Sequence, residues 1–165
     1  VNAQPQIGYS DTPELYGEIL KKLLPSGGRI RVNLYVSNSQ QEAERMIADL
    51  AAFHTCNSYA SSSGLSIDGH FTGEFVSGFA AARAALIDRR CKGLVVVMSY
   101  AEVFHFGLPA RFLDTIFLQK PEDLDSQQAK RFSAITKLIA KSSKHVQVIS
   151  TLSEALSPAV SFLKE

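Results

Sequence analysis

The apolar pattern is densest at residues 94–98, LVVVM, an unbroken run that leaves no polar face for solvent. A half-buried antiparallel strand alternates apolar and polar positions, whereas a strand covered by helices on both faces does not. The run predicts a central strand of a parallel sheet. Residues just past Met98 then fall at the carboxyl edge, where open α/β sheets place their working surfaces. Residues 30–36, IRVNLYV, alternate instead: Ile30, Val32, Leu34 and Val36 share one face, and Arg31, Asn33 and Tyr35 the other. That pattern predicts a second strand, less fully covered than the first. Between the two, Ala43, Met46, Ile47, Leu50 and Phe53 or His54 recur at i, i+3, i+4 and i+7 behind the capping box Ser39-Gln40-Gln41-Glu42. A helix over 40–54 follows.

The remaining pattern continues the alternation. Residues 1–10 are polar and predict an arm. Asp11-Thr12-Pro13-Glu14 opens a helix over 13–24, with Leu15, Ile19 and Leu23 at helical spacing and Pro25-Ser26-Gly27-Gly28 as its stop. The serine-rich stretch 57–64, NSYASSSG, predicts a surface loop, and 65–67 a short strand broken by Asp68-Gly69. Phe75, Phe79, Ala82 and Leu86 give a helical stretch over 75–90. Residues 100–113 fit no single element, because Gly107-Leu108-Pro109 interrupts any long helix. A strand is expected at 115–118, a helix over 126–142 with Phe132, Ile135, Leu138 and Ile139 inward, and a last strand at 145–149. Thr151-Leu152-Ser153-Glu154 then caps a final helix. Together these elements predict an α/β fold: one three-layer domain over 11–165, with a flavodoxin-like parallel sheet of about five strands flanked by helices.

Composition narrows the chemistry. At 165 residues and 45% hydrophobic, the chain is long enough to bury a core as one domain. Lys and Arg total 17 against 16 Asp and Glu, a net charge of +1, so no global field attracts nucleic acid or an acidic membrane and charge-driven binding must be local. Cys56 and Cys91 lack CxxC spacing, so neither a disulfide framework nor a zinc site is expected. No apolar run approaches the roughly 18 residues of a membrane helix, no leader opens the chain and no glycosylation sequon occurs, which together predict a cytoplasmic domain. Walker, GxGxxG, GxSxG, HExxH and EF-hand patterns are absent, and no metal or cofactor is expected.

Several side chains remain as candidates. Asp68, His70, Glu102 and His105 are predicted to share the carboxyl edge, where acids and imidazoles could serve acid–base chemistry or simply be solvated. Ser37 and Asn38, with Ser99 at the end of the central strand, border a possible ligand pocket. There Ser37-Asn38-Ser39 would either cradle an anion or cap the following helix. Lys130, Lys137, Lys141 and Lys144 fall on one helical face, a solvated stripe or a partner surface.

Some stretches resemble a TIR or SEFIR signalling domain. Leu34-Tyr35-Val36-Ser37-Asn38-Ser39 is similar to that family's first strand and serine-rich turn, and the 42–53 helix follows at the expected distance. Leu65-Ser66-Ile67-Asp68 with Phe71-Thr72-Gly73-Glu74-Phe75 looks like the second strand and its loop, Thr72 standing where the family form has proline. Residues 94–99 are similar to the third strand, and Ala129-Lys130-Arg131-Phe132 with 146–149 resembles the approach to the fifth. The resemblance covers residues 30–160, with the 13–24 helix extra to the family core. It implies a protein-interaction module that self-associates or binds like domains, without nucleic acid and without inserting in a membrane. Asp68, His70, Phe71 and Glu74 would lie on its partner-binding loop. Family members that cleave NAD carry a glutamate on the helix after the third strand. Counting from Ser99, that position falls near Arg111, with Glu102 and Asp114 as the nearby acids. NAD cleavage or nucleotide processing is the alternative activity, and a small-ligand sensor a third.

Overall fold

A computed structural model of the chain describes residues 29–38, 40–121 and 126–156. The expected arm over 1–10, the helix over 13–24 and the capping Ser39 lie outside the described residues. The chain divides into two compact units, Val1–Ile30 and Arg31–Glu165, and the second holds every element discussed below.

Seven strands form one sheet: β1 Arg31–Ser37, β2 Ser58–Ser61, β3 Gly64–Ile67, β4 His70–Thr72, β5 Gly93–Ser99, β6 Leu113–Gln119 and β7 Ser143–Ile149, in the order β4-β3-β2-β5-β1-β6-β7. Pairing is parallel from β2 through β5, β1 and β6 to β7, and antiparallel along β2, β3 and β4. The α/β three-layer architecture is therefore the one the alternation predicts, with five parallel strands extended by a hairpin. Those five lie in the order second, third, first, fourth, fifth. The flavodoxin-like order is 2-1-3-4-5, so here the first and third strands have exchanged places.

Four helices flank the sheet: α1 Gln40–Phe53, α2 Gly78–Ile87, α3 Tyr100–Phe106 and α4 Ser126–Ala140, with a 3-10 turn at Leu152–Leu156. The chain moves one way along the sheet through α1 and the opposite way through α2, α3 and α4. Right-handed crossovers therefore set α1 on one face and the other three on the opposite face. Ala43, Ile47, Leu50 and Ala51 of α1 pack with Ala155 on Tyr35, Val95, Val97, Phe117 and Ile149. Leu94 to Met98 are all buried, as a strand covered on both sides requires. The Arg31–Asn33–Tyr35 face of β1 is better covered than its alternation suggests: Asn33 and Tyr35 are buried under α1, each with a polar partner, Asn33 donating to Cys56 Sγ at 3.8 Å and Tyr35 bonded to His54.

Elsewhere the structure corrects the sequence pattern. The serine-rich stretch is not a surface loop: Ser58–Ser61 is β2, and Ser58, Ala60 and Ser61 are buried. Asp68 and Gly69, both at positive φ, turn β3 into β4 as a hairpin instead of ending the sheet there. In α2 the buried positions are the small ones, Gly78, Ala81, Ala82 and Ala85, and Phe75 precedes the helix. In α4, Ile135 and Ile139 are buried as expected but Leu138 is exposed. Lys144 falls in β7, so the four lysines are not one helical face. No helix among the described residues is long and apolar enough to cross a membrane.

Candidate functional site

Ser37 and Ser99 end adjacent parallel strands in register. After Ser37 the chain leaves for α1 on one face, and after Ser99 for α3 on the other. The crevice at the carboxyl edge between β1 and β5 is therefore the topological switch point of the sheet, the usual place for a site in such folds.

Hydrogen bonds close its floor. The buried Ser37 hydroxyl donates to Gln119 Oε1, and the Tyr100 hydroxyl donates to the Gln119 carbonyl at 2.8 Å. Burial pushes the Tyr100 phenol well above its ordinary range, so it stays protonated and remains a donor. The Ser99 hydroxyl accepts the Glu102 amide at 3.1 Å, while Glu102 Oε2 accepts the Ser99 amide at 2.7 Å, a capping box at the start of α3. Glu102 Oε1 accepts the Gly78 amide at 2.7 Å, so the same carboxylate also ties down the start of α2. The structure thus sets Ser37 and Ser99 side by side but commits both hydroxyls to protein partners, with Asn38 exposed beyond them.

The candidate acids and imidazoles are not brought together. Asp114 stands at the amino end of β6, where its Oδ2 accepts the Val32 amide at 2.8 Å, on the sheet edge opposite Glu102. Asp68 and His70 also belong to the amino edge. Ile67 pairs with both His70 and Ser58, and Ser58 pairs with Leu94 at the start of β5. Asp68 Oδ1 accepts from Asn57 Nδ2 at 2.8 Å. The expectation that Asp68, His70, Glu102 and His105 share the carboxyl edge is therefore corrected, as is the pairing of Glu102 with Asp114. The physical reason is the β3–β4 hairpin, which carries the chain back across the sheet before α2 begins. Among the described residues, no group of three or more His, Cys, Asp or Glu is placed to hold a metal ion.

No protein-family model matches the chain, and no curated protein matches it.

What stands out along α3 and the segment that follows it to β6 is aromatic. Of the seven residues of α3, only Val103 is buried. Phe104 is 72% exposed, and Phe106 and Phe112 are also more than half exposed. Phe106 stacks on Phe79 of α2 at 5.8 Å between centroids, and Arg111 lies over the Phe112 ring at 5.4 Å. Val76, just before α2, is 96% exposed. Sequence reasoning passed over this surface because Gly107 and Pro109 made the segment unassignable. The signal was present in Phe104-His105-Phe106, two phenylalanines two residues apart on a helix too short to bury both. Phe71, on the expected partner-binding loop, is 63% exposed, but it lies elsewhere. It pairs with Ser66 and through it with Tyr59, on the α1 face, and its ring fills the space a side chain on Gly64 would need.

Proposed function

We propose that this domain is a protein–protein interaction module, which self-associates or binds like domains through the exposed aromatic residues of α3 and the segment after it. The observation that carries this reading is the exposure of Phe104 and Phe106 on α3, with Phe112 also exposed in the segment that leads from α3 to β6. Large exposed aromatic side chains are costly to leave in water and are the usual anchors of protein interfaces. Arg111, stacked on Phe112, supplies the charge that commonly rims such an anchor. The alternative of NAD cleavage draws little support, because both oxygens of Glu102 serve as caps for main-chain amides and Asp114 stands at the other edge.

Light scattering over a wide concentration range, with the parent and a Phe104→Glu/Phe112→Glu variant, tests the reading. Association is expected to weaken at least about tenfold in the variant, the loss of one ordinary hot spot. The Phe71→Ala/Glu74→Lys variant, on the other face of the sheet, should associate like the parent. A parent that stays monomeric throughout and binds no like domain sinks the proposal. Weakening by the Phe71 pair alone moves the interface to the hairpin.

A further inference from the structure

From residue 126 to residue 153 the chain contains no acid, yet it carries Lys130, Arg131, Lys137, Lys141 and Lys144. The acids nearest in sequence, Glu122, Asp123 and Asp125 on one side and Glu154 on the other, flank the segment. In a chain of net charge +1, this is a concentrated basic segment. The fold gives it a shape. Ile135 and Ile139 fix α4 to the sheet, and Lys130, Lys137 and Lys141, the last just past the helix end, are exposed. At a hundred degrees per residue these three lysines project within a narrow arc opposite Ile139. Leu138, 67% exposed, flanks them.

We propose that this outer face of α4 docks on an anionic phospholipid surface, independently of the aromatic surface described above. Three features select that occupant. No acid is interleaved with the lysines between residues 126 and 153, so they suit a partner that is negative over an area and not at one point. Leu138 beside them matches the arrangement by which a surface helix adds apolar burial to charge attraction at the headgroup level. A second copy offers no matching acidic area among the described residues: Glu42 and Asp49 on α1 are interleaved with Arg45, and Asp68 and Asp88 with Arg89, Arg90 and Lys92. Duplex nucleic acid is the weaker fit, because its base edges are read by arginine forks and its polar phosphate backbone offers an exposed leucine nothing to bury against, whereas the residues named on this face are lysines and a leucine.

The test is flotation of the full chain with vesicles of phosphatidylcholine alone and of phosphatidylcholine with phosphatidylserine, at low and high salt. Binding is expected only to the phosphatidylserine vesicles and should fall with salt. A lysine near such a surface contributes roughly a fivefold factor, so Lys130→Gln/Lys137→Gln/Lys141→Gln should lower binding about a hundredfold. Leu138→Ala should lower it less. These side chains are exposed, so melting temperatures should stay at the parental value, and the salt dependence of the parent is a second readout that needs no variant. The proposal is overturned by any of four outcomes: no binding to phosphatidylserine vesicles at low salt, equal binding to both vesicle types, undiminished binding by the triple variant, or capture by duplex DNA without binding to vesicles.

Discussion

A methyl group on Gly78 would stand 2.4 Å from the main-chain oxygen of Val97. The first turn of α2 thus lies directly on the central strand, and the obstacle is backbone, which cannot rotate away as a side chain would. With Ala81, Ala82 and Ala85 also buried, the whole inner face of α2 is small, which lets the helix sit close over β2 and β5. Gly78→Ala should force α2 outward and destabilise the domain by about 1–3 kcal/mol, the usual range for overpacking. Denaturant unfolding monitored by circular dichroism measures it, and an unchanged midpoint would mean the helix shifts without cost.

Asn57 holds the hairpin edge of the sheet to β5. Its Oδ1 accepts from the Lys92 and Gly93 amides at 2.9 and 3.2 Å, and its Nδ2 donates to Asp68 Oδ1 and to the Arg90 carbonyl, both at 2.8 Å. Asn57→Ala leaves these groups without that partner and should lose about 1–3 kcal/mol. Hydrogen exchange should accelerate first in β3 and β4. Uniform acceleration across the sheet would show that Asn57 is no local clamp.

Tyr35 gives stability a pH dependence. Its hydroxyl is hydrogen-bonded to His54 Nε2, and the Tyr35 ring stacks on Phe117 at 4.5 Å. Burial holds His54 below its ordinary pKa, which favours the neutral ring beside the phenol. The unfolded chain therefore takes up the proton first. The contribution is complete above the unfolded value of about 6.5 and is lost as pH falls from there toward the lower folded value. His54→Gln keeps a hydrogen-bonding group for the phenol but does not titrate, so the parent's stability should decline more steeply than the variant's below about pH 6.5. Parallel slopes in thermal melts across that window would remove His54 as the cause.

Glu102 separates a capping role from a catalytic one. Glu102→Ala frees the Ser99 and Gly78 amides together and should cost about 1–3 kcal/mol, since two helix starts lose their acceptor. Glu102→Gln keeps one acceptor but sets an amide donor against another, so it should fall between parent and Ala. Incubation with NAD should give no nicotinamide with the parent or either variant. Product from the parent that disappears in Glu102→Gln, with the fold retained, would make the residue catalytic.

The sequence by itself determined the elements whose burial leaves a continuous or periodic apolar trace. Leu94 to Met98 read as the central strand because helices on both faces leave no side for a polar residue. Ala43, Ile47 and Leu50 marked α1 because one face of a helix repeats at its own period. Tertiary structure alone decided β2, where the buried Ser58 and Ser61 look like loop residues in sequence. Their hydroxyls are satisfied locally, Ser58 donating to Asn57 Oδ1 at 3.1 Å and Ser61 accepting the Ser63 amide at 3.2 Å. It also decided which edge of the sheet receives each candidate acid. Asp68-Gly69 signals a turn in any sequence, but whether that turn ends a sheet or folds a hairpin back across it depends on pairing with a strand that local pattern does not reveal. The same limit hid the aromatic surface: whether Phe104 and Phe106 point to core or to solvent depends on how far α3 extends over β5, a matter of long-range packing and not of spacing.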